Sequence, residues 1–219
     1  MIYTSNYKNC DTNYFKTISI SGDKGKKANY KGKYIKELAP KLSFWKVWKN
    51  NIGKISVDEN NKYYSEEYYK QVLSKLDPEE IYHKINNKVL LCYEENMDFC
   101  HRHIISAWIE LLLDKKTAEI TFNGYKITEI ERPNNIKKVL ENVIREDLQM
   151  YNFQCLHAFY LYQKSLKLED MIRKLEEKTR KCYDCLWQEV STLKFNAEIK
   201  EEEYLKLNSP KILKKEKVR

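Results

Sequence analysis

A chain of 219 residues and 26.4 kDa can bury a full core, as one domain or as a domain with an extension. Apolar content of 42% and charged content of 33% exclude a disordered chain, and no apolar run nears the roughly 20 residues of a membrane helix. The formal net charge of +8 admits nucleic acid as a partner, but Lys, Asn, Ile and Tyr are abundant throughout, so the surplus reads as a global bias.

Ile2–Ser5 predicts a short strand, and Thr17–Ser21 alternates with period two and predicts another. Residues 22–33 read as a loop carrying Lys24, Lys26, Lys27, Lys31 and Lys33 around Gly22, Gly25 and Gly32. Lys36–Asn50 suits one or two short helices interrupted at Pro40, and 49–61 reads as a loop. Ser65 is the expected N-cap of a helix carrying Tyr69, Val72, Leu73 and Leu76. Asp77-Pro78-Glu79-Glu80 combines a cap, a proline at the first position and dipole-favoured acids, and predicts a helix to about Asn86.

Val89, Leu90 and Leu91 are consecutive and apolar, as in a strand covered on both faces. Asp98 is the expected cap of the next helix, which runs to about Asp114. Thr117–Phe122 and Tyr125–Ile130 predict a hairpin turning at Asn123-Gly124. Beyond Pro133 only helical spacing appears. Ile136, Val139, Leu140, Val143, Ile144 and Leu148 lead on to Leu156, Phe159 and Tyr160. A seam then runs through Leu168, Ile172, Leu175, Thr179, Cys182, Leu186 and Leu193, as in a coiled-coil-like hairpin. The expected fold is α/β, a small, mostly parallel sheet flanked by helices over 1–131. An all-helical extension over 132–219 follows, with a basic tail at Lys206, Lys211, Lys214, Lys215, Lys217 and Arg219. Solvated charge is the default reading of both the basic loop and the tail.

The reactive residue types crowd into 92–103. Cys92, Tyr93 and Glu94 follow the apolar strand, where ligands of open α/β sheets sit. Cys100 and His101 occupy the next helix's first turn, whose unpaired N–H groups and positive dipole end favour an anion and a thiolate. Arg102 adds a forked donor for a phosphate or carboxylate, with Thr4, Ser5 and Lys24 as further ligand-binding candidates. A helical projection sets Ile104, Ile105, Trp108, Leu111 and Leu112 on the buried face. It places His103 with Glu110 and Asp114 on a solvated side, outside the site.

Several chemistries are excluded. A cysteine phosphatase needs an Arg six residues beyond its Cys, where Asp98 and Ser106 stand here. A P-loop, a Gly-x-Gly-x-x-Gly and a serine nucleophile elbow are all missing. Zinc is an alternative use of Cys92, Cys100 and His101, or of Cys155, His157, Cys182 and Cys185. One Cys-x-x-Cys is weak support, and Cys182 and Cys185 read as core, so no metal or other cofactor is expected. Met1-Ile2-Tyr3-Thr4-Ser5 lacks a signal-peptide layout. The expected location is therefore the reducing cytoplasm, with the six cysteines as thiols or metal ligands.

Leu90-Leu91-Cys92-Tyr93-Glu94 with Phe99-Cys100-His101-Arg102, together with Tyr30-Lys31-Gly32-Lys33-Tyr34, Leu38-Ala39-Pro40-Lys41 and Leu73–Asp77, resembles the domain of unknown function 488 family over about residues 1–120. The resemblance implies a cytoplasmic, prokaryotic or phage-borne α/β protein and leaves the activity open. Other members carry Asp-Val-Arg near the second strand. Here that region reads Ser19-Ile20-Ser21-Gly22-Asp23, leaving Lys24 or Lys26 to supply the charge.

Two functions are therefore expected. One is an enzyme-like site binding a nucleotide or nucleic-acid phosphate, with Cys100 as nucleophile or acid–base group, His101 its proton partner, and Glu94 orienting water or Arg102. Cys92 and Tyr93 would line its pocket. The alternative is a non-enzymatic module that binds nucleic acid through the basic loop and tail, and a protein partner or second copy through 132–219, with no membrane role.

Overall fold

The computed structural model describes residues 1–133, 135–148 and 153–208. The tail residues Lys211, Lys214, Lys215, Lys217 and Arg219 lie outside them. Two compact units are present, Met1–Leu148 and Gln149–Arg219.

Among the described residues, six strands form one sheet. They are β1 (Ile2–Asn6), β2 (Thr17–Ser19), β3 (Lys33–Tyr34), β4 (Val89–Cys92), β5 (Thr117–Phe122) and β6 (Ile127–Ile130). Their order is β3-β2-β4-β1-β5-β6; all neighbours are parallel except β5 and β6. β4 is central and wholly buried. Its side chains alternate. Val89 and Leu91 pack with Cys10, Ala118 and Ile120, and Leu90 and Cys92 point to the other face. The Asn123-Gly124 hairpin is present as predicted. β3 begins at Lys33, the last residue of the span read as loop, and went unread because two residues show no periodicity.

The helices of the first unit are α1 (Leu42–Asn51), α2 (Val57–Gln71), α3 (Pro78–Ile85), α4 (His101–Leu113) and α5 (Asn135–Asp147). Asp77 caps α3 through the Glu80 amide at 2.9 Å, as its sequence dictates. α2 begins well before the expected Ser65. Ser56 accepts from the Glu59 amide and Glu59 answers to the Ser56 amide, a complete capping box. Polar Asn60, Asn61 and Lys62 in the first turns concealed this helix, and Ser65 is a buried interior residue bonded to the Asn61 carbonyl. Ser56→Ala should cost about 1 kcal/mol and lower Tm by roughly 2–4 °C in thermal denaturation.

α5 packs on α2 and α4, so the first unit runs to Leu148 instead of ending at 131. It also explains His103. α4 is covered nearly all round, with eleven of its residues buried, from His101 to Leu113, so a one-sided projection cannot hold. His103 is buried, its Nε2 3.4 Å from Glu119 Oε2 without hydrogen-bond geometry.

The second unit holds α6 (Leu156–Thr179) and α7 (Asp184–Asn208), packed on each other as a helical hairpin. Arg180 turns the chain at φ 56°. That break puts Cys182 and Cys185 at an exposed corner instead of on a core seam. It also separates them from Cys155 by the 24 residues of α6, about 36 Å, so those cysteines and His157 cannot share one ion. Among the described residues, no helix is long and apolar enough to cross a membrane.

Candidate functional site

The carboxyl ends of β2 and β4 meet the start of α4 at a cavity of about 530 Å³, within the range that small ligands occupy. Its floor is Cys92, Glu94, Cys100 and His101. Cys92 ends β4. Cys100, with extended φ of −151°, is the N-cap of α4. The expected cap, Asp98, instead closes a turn on the Glu95 carbonyl at 3.1 Å.

Glu94 Oε2 lies 3.1 Å from both sulfurs. His101 Nδ1 lies 3.7 Å from each, and Nε2 is 3.1 Å from the Ile20 carbonyl. A carbonyl can only accept, so Nε2 carries the proton and a neutral ring presents a bare Nδ1 to the thiols. Burial opposes ionisation of Cys100, but the Cys92 hydrogen bond, Arg102 and His101 outweigh it and hold this thiol well below its usual range. Burial and the Cys100 partner push the Cys92 thiol up. Burial disfavours the His101 imidazolium, yet the Cys100 thiolate overrides it and raises the ring's pKa. These directions single out Cys100, and not Cys92, as the more acidic of the two thiols, with His101 beside it to take its proton; burial and Cys100 push the Glu94 carboxyl the other way, upward.

Arg102 is fully buried and its fork points away from the cavity. Nε donates to Glu119 at 3.1 Å, and the two terminal nitrogens donate to the Glu94 and Glu95 carbonyls at 2.9 and 2.8 Å. It holds the turn that presents Glu94, and its donors are not aimed at a guest anion. Thr4 and Ser5 also lie off the cavity, on Glu119 and on the Ile120 carbonyl. Lys24 sits over the Tyr34 ring at 4.3 Å. Tyr93 lines the cavity as expected.

Sequence reading missed most of the wall. Tyr93 donates to Asp23 at 2.7 Å, and Asp23 also accepts from the Gly25 and Lys27 amides. Gly25 has φ 81°, and a Cβ there would meet Tyr30 and the Tyr7 hydroxyl at 2.8 Å, so this loop requires glycine. Trp45, Trp48, Phe99 and Tyr64 form an aromatic side, and Lys27 and Lys49 are exposed lysines of the lining. The available signal was Trp45 and Trp48 spaced i, i+3 beside Lys49, in a stretch read only as one or two short helices.

The ligand atoms of Cys92, Cys100 and His101 all lie within 4.8 Å of one another, a soft donor set that could also hold a divalent cation. Fold and site together define an α/β domain with a thiol–imidazole–carboxylate centre at the carboxyl edge of its sheet. Residues 12–112 match DUF488-N3a, described as the active DUF488-N3 subclade. The chain carries a domain of this family, and the match contains the whole Cys92–Glu94–Cys100–His101 cluster. No curated protein and no solved structure matches the chain.

Proposed function

We propose that this domain is a thiol-dependent enzyme acting on a phosphate-bearing substrate, a nucleotide or nucleic-acid end, with Cys100 as nucleophile and His101 as its proton partner. The convergence of two thiols, a carboxylate and an oriented imidazole on one cavity floor carries the reading. His101 Nδ1 takes the Cys100 proton, the thiolate attacks the electrophile, and the imidazolium returns the proton to the leaving group. Lys27 and Lys49 supply the positive charge that Arg102 does not. A thiolate centre of this kind belongs in a reducing compartment, so the reading places the protein in the cytoplasm.

Iodoacetamide alkylation of the full chain, mapped by mass spectrometry across pH, tests it. Cys100 should react fastest at pH 6.5, well below the range of a free thiol with pKa about 8.5. Exposed Cys182, whose thiol Asp184 pushes up, should lag. A nucleoside monophosphate should protect Cys100. Cys100 reacting no faster than Cys182 sinks the proposal. So does a stoichiometric divalent metal whose chelation is needed to expose both buried thiols.

A further inference from the structure

We propose that the substrate is a single-stranded nucleic acid, its terminal base stacked on Trp45 and Trp48 and its backbone running over a belt of lysines. The inference rests on the proposed function only for what happens at the floor; the binding stands on charge and aromatic surface.

The charge surplus is not global. Residues 22–54 contain ten lysines and two acids, a net of +8. The whole chain has 40 Lys and Arg against 32 Asp and Glu, so the other 186 residues hold 30 of each and cancel. All ten lysines, from Lys24 to Lys54, are exposed. The segment's two acids are occupied elsewhere: Asp23 by Tyr93 and loop amides, Glu37 by Lys84 at 3.5 Å. This segment also supplies half of the cavity's lining, including Asp23, Lys27, Trp45, Trp48 and Lys49.

A free nucleotide cannot engage ten cations, whereas a strand tracking away from the cavity can. Trp45 and Trp48 are only partly buried, with Lys49 Nζ 5.7 and 4.9 Å from their ring centroids. Trp48 Nε1 is pinned by Asn61 at 3.3 Å, and Leu42 beside them is 66% exposed. Aromatic surface interleaved with cations is the platform on which unpaired bases stack. The thiols lie beneath that surface, where only an unpaired base can descend.

Fluorescence anisotropy of the full chain with a labelled 12-mer oligonucleotide tests this, with a hairpin duplex, a nucleoside monophosphate and anionic lipid vesicles as competitors. The 12-mer should bind and weaken steeply with salt. Trp45→Ala should lose fivefold or more in affinity, with Trp45→Phe recovering most of it. Charge reversal at Lys24, Lys26 and Lys27, checked by circular dichroism, should flatten the salt dependence. The inference is overturned if the monophosphate or the duplex competes as well as unlabelled 12-mer, if vesicles alone compete, or if the 12-mer does not bind. Absent binding with a fast-alkylating Cys100 removes this inference and leaves the thiol reading standing. Intact binding with an unreactive Cys100 does the reverse and makes the domain a non-enzymatic module.

Discussion

Arg102→Met is expected to destabilise the first unit by about 3–5 kcal/mol, the largest stability effect of any single change at this site. Arg102 and Glu119 are both fully buried and meet at 3.1 Å. Removing the guanidinium leaves Glu119 buried with only the Thr4 hydroxyl bonded to it and His103 beside it, and strips the Glu94 and Glu95 carbonyls of their donors. Against a typical total of about 5–15 kcal/mol that loss is severe. Arg102→Lys should recover little, since one ammonium cannot bridge a carboxylate and two carbonyls set apart by a planar fork. Arg102→Met with Glu119→Leu should recover part, because a buried charge is no longer stranded. Urea denaturation gives all three values. A cost under about 1 kcal/mol for Arg102→Met would show that the pair is not the pin described.

The same residue shows what sequence could and could not reveal. Cys92, Glu94, Cys100 and His101 were legible, because an apolar run followed by polar residues and a helix places them at a strand's carboxyl edge whatever the rest of the fold does. Arg102 was visible as a guanidinium but not as a buried one. Its partner, Glu119, lies on β5, and only the pairing of Thr4 with Glu119 across β1 and β5 brings it near. His103 failed for a related reason: α5, distant in sequence, covers the face of α4 that a projection assigns to water. Local signals read well where the chemistry was local, as at Asp77-Pro78 and Asn123-Gly124. They failed at α2, whose capping box at Ser56 preceded a turn too polar to look helical. The aromatic wall stayed hidden because a tryptophan on an amphipathic helix looks alike whether it faces a core or a cavity.

His101→Gln should slow Cys100 alkylation at pH 6.5 by tenfold or more while leaving the rate near pH 9.5 almost unchanged. The sign follows from the arrangement. Nδ1 at 3.7 Å is the base that accepts the Cys100 proton, and its positive charge helps hold the thiol low. Without it, burial acts on Cys100 less opposed, the pKa rises, and the thiolate fraction at acidic pH falls tenfold for each unit gained. Above the new pKa the thiolate is again the main form, so the high-pH rate returns. Gln was chosen because its amide can still donate to the Ile20 carbonyl that Nε2 engages, keeping the first turn of α4 anchored. A loss of reactivity equal at both pH values would mark a collapsed site instead of a lost base. No loss at either pH would mean that Cys100 owes its acidity to Cys92, Arg102 and the helix terminus alone, leaving His101 as an anchor between α4 and β2.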